Sequence, residues 1–197
     1  MGDFFERIVD LEVSAADAGA AAERMLEWMA ARGWVLRETS AEGVYTRGVT
    51  EGFVAGPAGA EIADDWGADW ISGPVAVVLG RRAHHPGQGE VEPSGAVCPS
   101  CRATTVIIDY PQAWEADPVV WQPFSEAVEE WERTGAGAVR CGRCATVSPV
   151  TDWAWTDGYA LGALSFDFWG WPPLSDAFVA EFVARLGHRI EHHSGKA

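Results

Sequence analysis

All four cysteines of this 197-residue chain fall in two C-x-x-C pairs, CPSC at Cys98–Cys101 and CGRC at Cys141–Cys144. A turn of two residues between cysteines points both thiolates the same way, and its backbone amides donate to sulfur. Pro99 and Gly142 are turn formers at the second position of each pair. Two such turns facing each other supply tetrahedral S4 coordination, the closed arrangement of a structural metal site. Redox-active or disulfide pairs are the alternative, and the expected compartment decides against them. No apolar run reaches the ~20 residues a membrane span needs, and Met1–Asp10 lacks a basic segment followed by an apolar one. A cytoplasmic, reducing location is therefore expected, where close cysteine pairs hold metal more often than disulfides.

In these pairs residues 96–152 resemble a zinc ribbon with rubredoxin-type knuckles, each knuckle lying next to strand-like residues. The resemblance implies one structural Zn2+ on Cys98, Cys101, Cys141 and Cys144, with no coordination position left for catalysis. Iron in the same geometry, as in rubredoxin, is the chemical alternative. The 39 residues between the pairs (102–140) exceed the usual ribbon spacing and include a Trp-bearing helix, a departure from plain ribbons that read nucleic acid. Elsewhere, the stretch WGWPPLSDAFVAEFVARLGHRI resembles the ends of small uncharacterised bacterial proteins, which implies no activity. In composition the chain is similar to bacterial immunity proteins that neutralise basic toxins.

Periodicity and turn chemistry predict the rest. Phe4–Val13 reads as a strand. Ser14 with Asp17 caps a helix whose buried face is Ala18, Ala21, Met25, Trp28 and Met29, ended by Gly33. Trp34–Arg37 and Gly43–Arg47 read as short strands, and Pro74–Arg82 as a strong one. Phe53–Ala63 is ambiguous, Asp64–Ile71 is a helical turn or a loop, and His85–Gly95 is a linker. In the cysteine segment Thr104–Asp109 and the run after Cys144 read as strands. Between them PFSEAVEEWER is a helix with Pro123 at its first position, burying Phe124, Val128 and Trp131 and stopped by Gly135. Tyr159–Phe168 is a strand. Ser175 caps a helix presenting Phe178, Val179, Phe182, Val183 and Leu186, Gly187 ends it, and Arg189–His193 is a last edge strand. The expectation is an α+β fold, a mostly antiparallel sheet with two helices on one face (β-α-β-β-β-α-β). Residues 1–95 and 153–197 form one domain, interrupted by the zinc-ribbon-like insertion 96–152.

The formal charge of -15 is spread over the whole chain. Residues 1–95 carry 7 basic against 16 acidic side chains, 96–152 carry 4 against 8, and 153–197 carry 3 against 5. Such a surface repels phosphate backbones, so nucleic acid is not an expected partner; a basic protein is. Nine of the eleven tryptophans cluster, as Trp66/Trp70, Trp114/Trp121/Trp131, Trp153/Trp155 and Trp169/Trp171, and the alternation in WAW and WGW sets both rings of each such pair on one side of an extended backbone. For any single Trp the ordinary reading is core packing. For the set, some are expected to line an exposed groove or a homodimer interface, and Trp66, Asp69, Trp70, Trp169 and Trp171 are the candidate binding residues.

Asp64, Asp65 and Asp69 can pair as carboxylates, but the ordinary reading is a solvated acidic turn. His84 and His85 with His188, His192 and His193 can make a second metal site if their strands adjoin; surface and tail positions are the ordinary reading. No phosphate loop, nucleophile elbow or spare cysteine is present, and the single lysine is Lys196. The resulting expectation is a non-enzymatic, zinc-containing binding protein acting through protein–protein interaction. The alternative is a small-molecule binder or enzyme using a Trp-lined pocket.

Overall fold

The computed structural model describes residues 4–67, 69–85 and 92–196. In chain order the elements are β1 (Phe4–Asp10), α1 (Ala18–Ala31), β2 (Val35–Ser40), β3 (Gly52–Ala55), β4 (Val75–His84), β5 (Gly95–Val97) and β6 (Thr104–Val106). There follow α2 (Pro118–Thr134), β7 (Ala138–Arg140), β8 (Val147–Pro149), β9 (Ala154–Trp155), β10 (Ala160–Trp169), α3 (Asp176–Leu186) and β11 (Ile190–Lys196). No helix among the described residues is long and apolar enough to cross a membrane. The chain divides into two compact units, one of residues 1–80 and 162–197, the other of residues 81–161.

The first unit has the expected α+β architecture. Its strands belong to a six-stranded sheet in the order β11-β1-β10-β4-β3-β2, and β1 pairs antiparallel with both β10 and β11. Alternation along β10 sends Leu164, Phe166 and Phe168 to one face. There they join Ile8 of β1, Met25, Trp28 and Met29 of α1, and Phe178, Phe182 and Leu186 of α3 in one buried cluster. Ser175 starts α3, its hydroxyl accepting the Phe178 N–H, and Gly187 ends it at φ +80°. Phe5, Ala76 and Trp169 point to the opposite face, where Val44 and Val49 cover them.

That cover corrects one expectation: Gly43–Arg47 is a loop. Gly43 and Gly48, at φ +81° and +75°, turn the chain at either end and prevent an extended run. The strand lies instead in the Gly-rich stretch, at β3, where a Cβ on Gly52 would stand 2.9 Å from the Val75 carbonyl oxygen. Between Asp64 and Ile71 the described residues form turn and loop. The linker expected over His85–Gly95 falls partly outside the described residues.

Acidic side chains on the central strands are buried with partners. Asp167 receives both Arg7 Nε (2.6 Å) and Nη2 (2.7 Å), and the Thr46 hydroxyl donates to it at 2.6 Å. Asp10 meets His188 Nδ1 at 2.8 Å, and Glu6 meets His192 Nε2 at 2.9 Å.

The second unit is made of short pieces: a three-stranded sheet β6-β5-β9, a two-stranded β7-β8 hairpin, and α2. The helix begins earlier than its sequence suggests. Asp117 is the cap, its carboxylate accepting from Val119 N (2.8 Å) and Val120 N (3.3 Å), and Pro118 takes the first turn. Pro123 therefore sits inside the helix, where its missing N–H forgoes a bond to the Val119 carbonyl. Phe124, Val128 and Trp131 are buried as predicted, and Trp153 and Trp155 both pack against Phe124, at 4.9 and 5.6 Å between ring centroids.

Candidate metal centre

Each C-x-x-C pair caps a hairpin, and the two hairpins share one backbone pattern. In the first, between β5 and β6, Cys98 N donates to Ala103 O and Arg102 N to Cys98 O, each at 3.0 Å. In the second, between β7 and β8, Cys141 N donates to Thr146 O and Ala145 N to Cys141 O, each at 2.9 Å. Arg102 and Ala145 occupy equivalent left-handed positions at φ +61° and +60°. Two copies of one turn, unrelated in sequence beyond the cysteines, thus present their sulfurs identically.

The sulfurs converge. All four Sγ atoms lie within 4.8 Å of one another, with Cys98–Cys144 at 3.9 Å and Cys101–Cys141 at 3.8 Å. These are not disulfide distances, which are about 2.05 Å. They match the edge of a tetrahedron with metal–sulfur bonds of about 2.3 Å, which is about 3.8 Å. Cys98 and Cys141 are buried, while Cys101 and Cys144 reach the surface.

Backbone donors serve the sulfurs. The Arg143 N–H donates to Cys141 Sγ at 3.4 Å. Amides of Cys101 and Ser100 do so for Cys98 and hold its thiol below the ordinary range. The Thr146 hydroxyl and amide pull the Cys144 thiol down to about 6. At Cys101 the Ala103 amide acts in the same direction, but burial and the neighbouring thiols outweigh it and push the thiol up to about 11. Four thiols crowded this closely resist losing all their protons unless a cation offsets the charge, and a bound metal supplies it. Acidic residues of the 96–152 segment lie on α2, on the loop before it and at Asp152; the hairpins that carry the cysteines bear Arg102, Arg140 and Arg143.

The remaining candidates fall elsewhere. Among the described residues the cysteine quartet is the one group of three or more His, Cys, Asp or Glu placed to share an ion. His188 and His192 serve the buried carboxylates of β1 rather than a second site. His193 has neither ring nitrogen hydrogen-bonded, and burial, aided by Arg7, pushes its pKa down to about 4.

In the WGW stretch Gly170 turns at φ +64°, so the two rings part. Trp169, 2% exposed, packs on Phe5 at 5.1 Å and donates to Thr46 Oγ1 at 2.9 Å. Trp171 is buried on the helix face of the sheet against Phe168 and Trp66 and donates to Gly73 O at 3.0 Å. Trp66, Trp70 and Trp169 do meet, with Tyr45 and Glu42, around a groove of about 720 Å³ in the first unit. Asp69 is exposed on the loop beside it. Tyr45 and Glu42 carry no sequence signal: Tyr45 lies in the stretch that reads as a strand and Glu42 in the turn before it. Asp167 does carry one, as the lone charge in the otherwise apolar β10, whereas Arg7 stands among Glu6 and Asp10 in β1. No family model, curated protein or solved structure matches the chain.

Proposed function

We propose that the chain is a non-enzymatic binding protein of a reducing, cytoplasmic compartment, in which one zinc ion is structural and the partner is a basic protein. The observation that carries the metal reading is the sulfur quartet, whose 3.8 and 3.9 Å separations suit a closed S4 site. Four thiolates saturate a tetrahedral ion and leave no position for water or substrate, so the metal's contribution is folding energy. The binding reading draws support from a net charge of -15, which favours basic partners and disfavours nucleic acid. It draws further support from large apolar side chains left exposed on the first unit. The test is metal analysis of the purified protein, with a pull-down from its host against an equally acidic unrelated bait. One zinc per chain is expected. A red, iron-type visible spectrum would replace zinc by iron, and metal-free protein of unchanged circular dichroism would sink the structural role.

A second reading has a specific observation behind it: the groove lined by Trp66, Trp70 and Trp169 is large enough for a small molecule. It becomes the better one if a low-molecular-weight ligand co-purifies.

A further inference from the structure

We infer that the groove of the first unit is a dock for the cationic side chain, arginine or lysine, of a basic segment in a partner protein. The inference deepens the protein-binding reading above and rests on it.

The groove is aromatic, and the N–H groups of two of its indoles are already taken. Trp70 Nε1 donates to Gly170 O at 2.7 Å, and Trp169 Nε1 to Thr46 Oγ1 at 2.9 Å. Trp70, its N–H satisfied internally and 47% of it exposed, offers a ligand the π-electron surface of its ring, as does Tyr45, while Trp169 packs against Tyr45. That surface attracts cations. The charged side chain among the described lining residues is Glu42, and no Arg, Lys or His lines the groove. Asp64, Asp65 and Asp69, on the loop that carries Trp66 and Trp70, add negative charge beside it. A cation entering here meets π surface and a carboxylate together, the combination that recognises ammonium and guanidinium groups.

The rim argues for a peptide rather than a free small cation. Ile71 is 91% exposed, Tyr45 55% and Trp70 47%. An enclosed small-molecule site buries most of its ligand and has little use for such a rim. Large apolar side chains exposed together mark a surface that a macromolecule covers.

Because the whole chain is acidic, a basic peptide is attracted to it nonspecifically, so the test holds charge constant. The probe is a short Ser/Gly peptide carrying two arginines, fluorescently labelled and titrated by anisotropy in moderate salt. Trp70→Ala and Tyr45→Ala leave the net charge unchanged, and both side chains are exposed enough to be replaced without disturbing the core. Each is expected to weaken binding about tenfold, the loss of one good cation–π contact. Glu42→Gln is expected to weaken it about threefold. The charge-matched control Glu126→Gln, on α2 of the second unit, should leave it within error. Equal binding by wild type, Trp70→Ala and Tyr45→Ala overturns the groove while leaving protein binding elsewhere on the surface standing. Arginine amide or tetramethylammonium competing as well as the peptide overturns the peptide in favour of a small cation. Absence of saturable binding by the wild type overturns the inference outright. Zinc content measured on the same samples reports on the metal independently, since no cysteine lines the groove.

Discussion

The first unit buries Phe166, Phe168, Phe178 and Phe182 in one continuous cluster with both of its helices, on a six-stranded sheet. The second spreads a smaller buried set around a single helix, with strands of two or three residues. Strands that short do not hold a sheet by themselves. The first unit is a core that needs no staple, whereas in the second the proposed metal would supply a cross-link between two hairpins. The difference teaches where each source of stability lies: in one unit it is area removed from water, in the other, on the proposed reading of the cysteine site, it would be metal–thiolate bonding.

The largest expected effect separates the two. Cys98→Ser with Cys141→Ser removes both buried ligands, and the second unit should lose its amide-exchange protection altogether. Structural zinc sites contribute on the order of 10 kcal/mol in isolated fingers, more than the stability of most domains. Amides of α1, α3 and β10 should stay protected. Unfolding of both units together would mean that their stabilities are not separate.

A smaller effect belongs to the first unit alone. His193 sits half-buried beside Phe5; loss of solvation, with Arg7, Asp167, His192 and Glu6 acting on its charge, pushes its pKa down to about 4 from 6.5. Between those values the unfolded chain binds a proton that the folded one refuses. This contribution is therefore complete above pH 6.5 and is lost as pH falls towards 4, up to about 3 kcal/mol. His193→Phe, which keeps a ring against Phe5, should flatten the pH dependence of denaturant unfolding in that window. An unchanged profile would place the titration elsewhere.

The smallest effects come as a matched pair. Asp117→Ala and Ser175→Ala each remove a helix cap and should each cost about 1 kcal/mol. The Ser175 loss should show in the transition of the first unit with or without metal. The Asp117 loss should be visible only while metal keeps the second unit folded, so the pair measures how independent the two are.

Much of this was legible from local signals. The burial of Ala21, Met25 and Trp28 follows from helical spacing, and the Ser175 cap and Gly187 stop follow from turn chemistry. The knuckles are legible for the same reason: two residues between cysteines set the direction of both thiolates. Local rules failed where two signals competed. Pro123 looked like a helix start because the stronger Asp117–Pro118 signal lies outside the apolar periodicity of the helix. The stretch Gly43–Arg47 alternates like a strand, yet its flanking glycines made it a loop.

The sequence by itself determined the α+β class, the faces that the helices bury and the presence of two cysteine knuckles, because each depends on residues only a few places apart. Tertiary structure decided what those pieces do together. It brought Cys98 against Cys144, 46 residues on, and Arg7 against Asp167, 160 residues on. It also turned Trp169 and Trp171 apart at Gly170 and drew Trp66, Trp70, Trp169 and Tyr45 to one groove. Whether a tryptophan is core or surface, and whether a carboxylate is solvated or buried with an arginine, depends on what the rest of the chain packs against it. That burial is a property of distant contacts, which spacing along the chain does not encode.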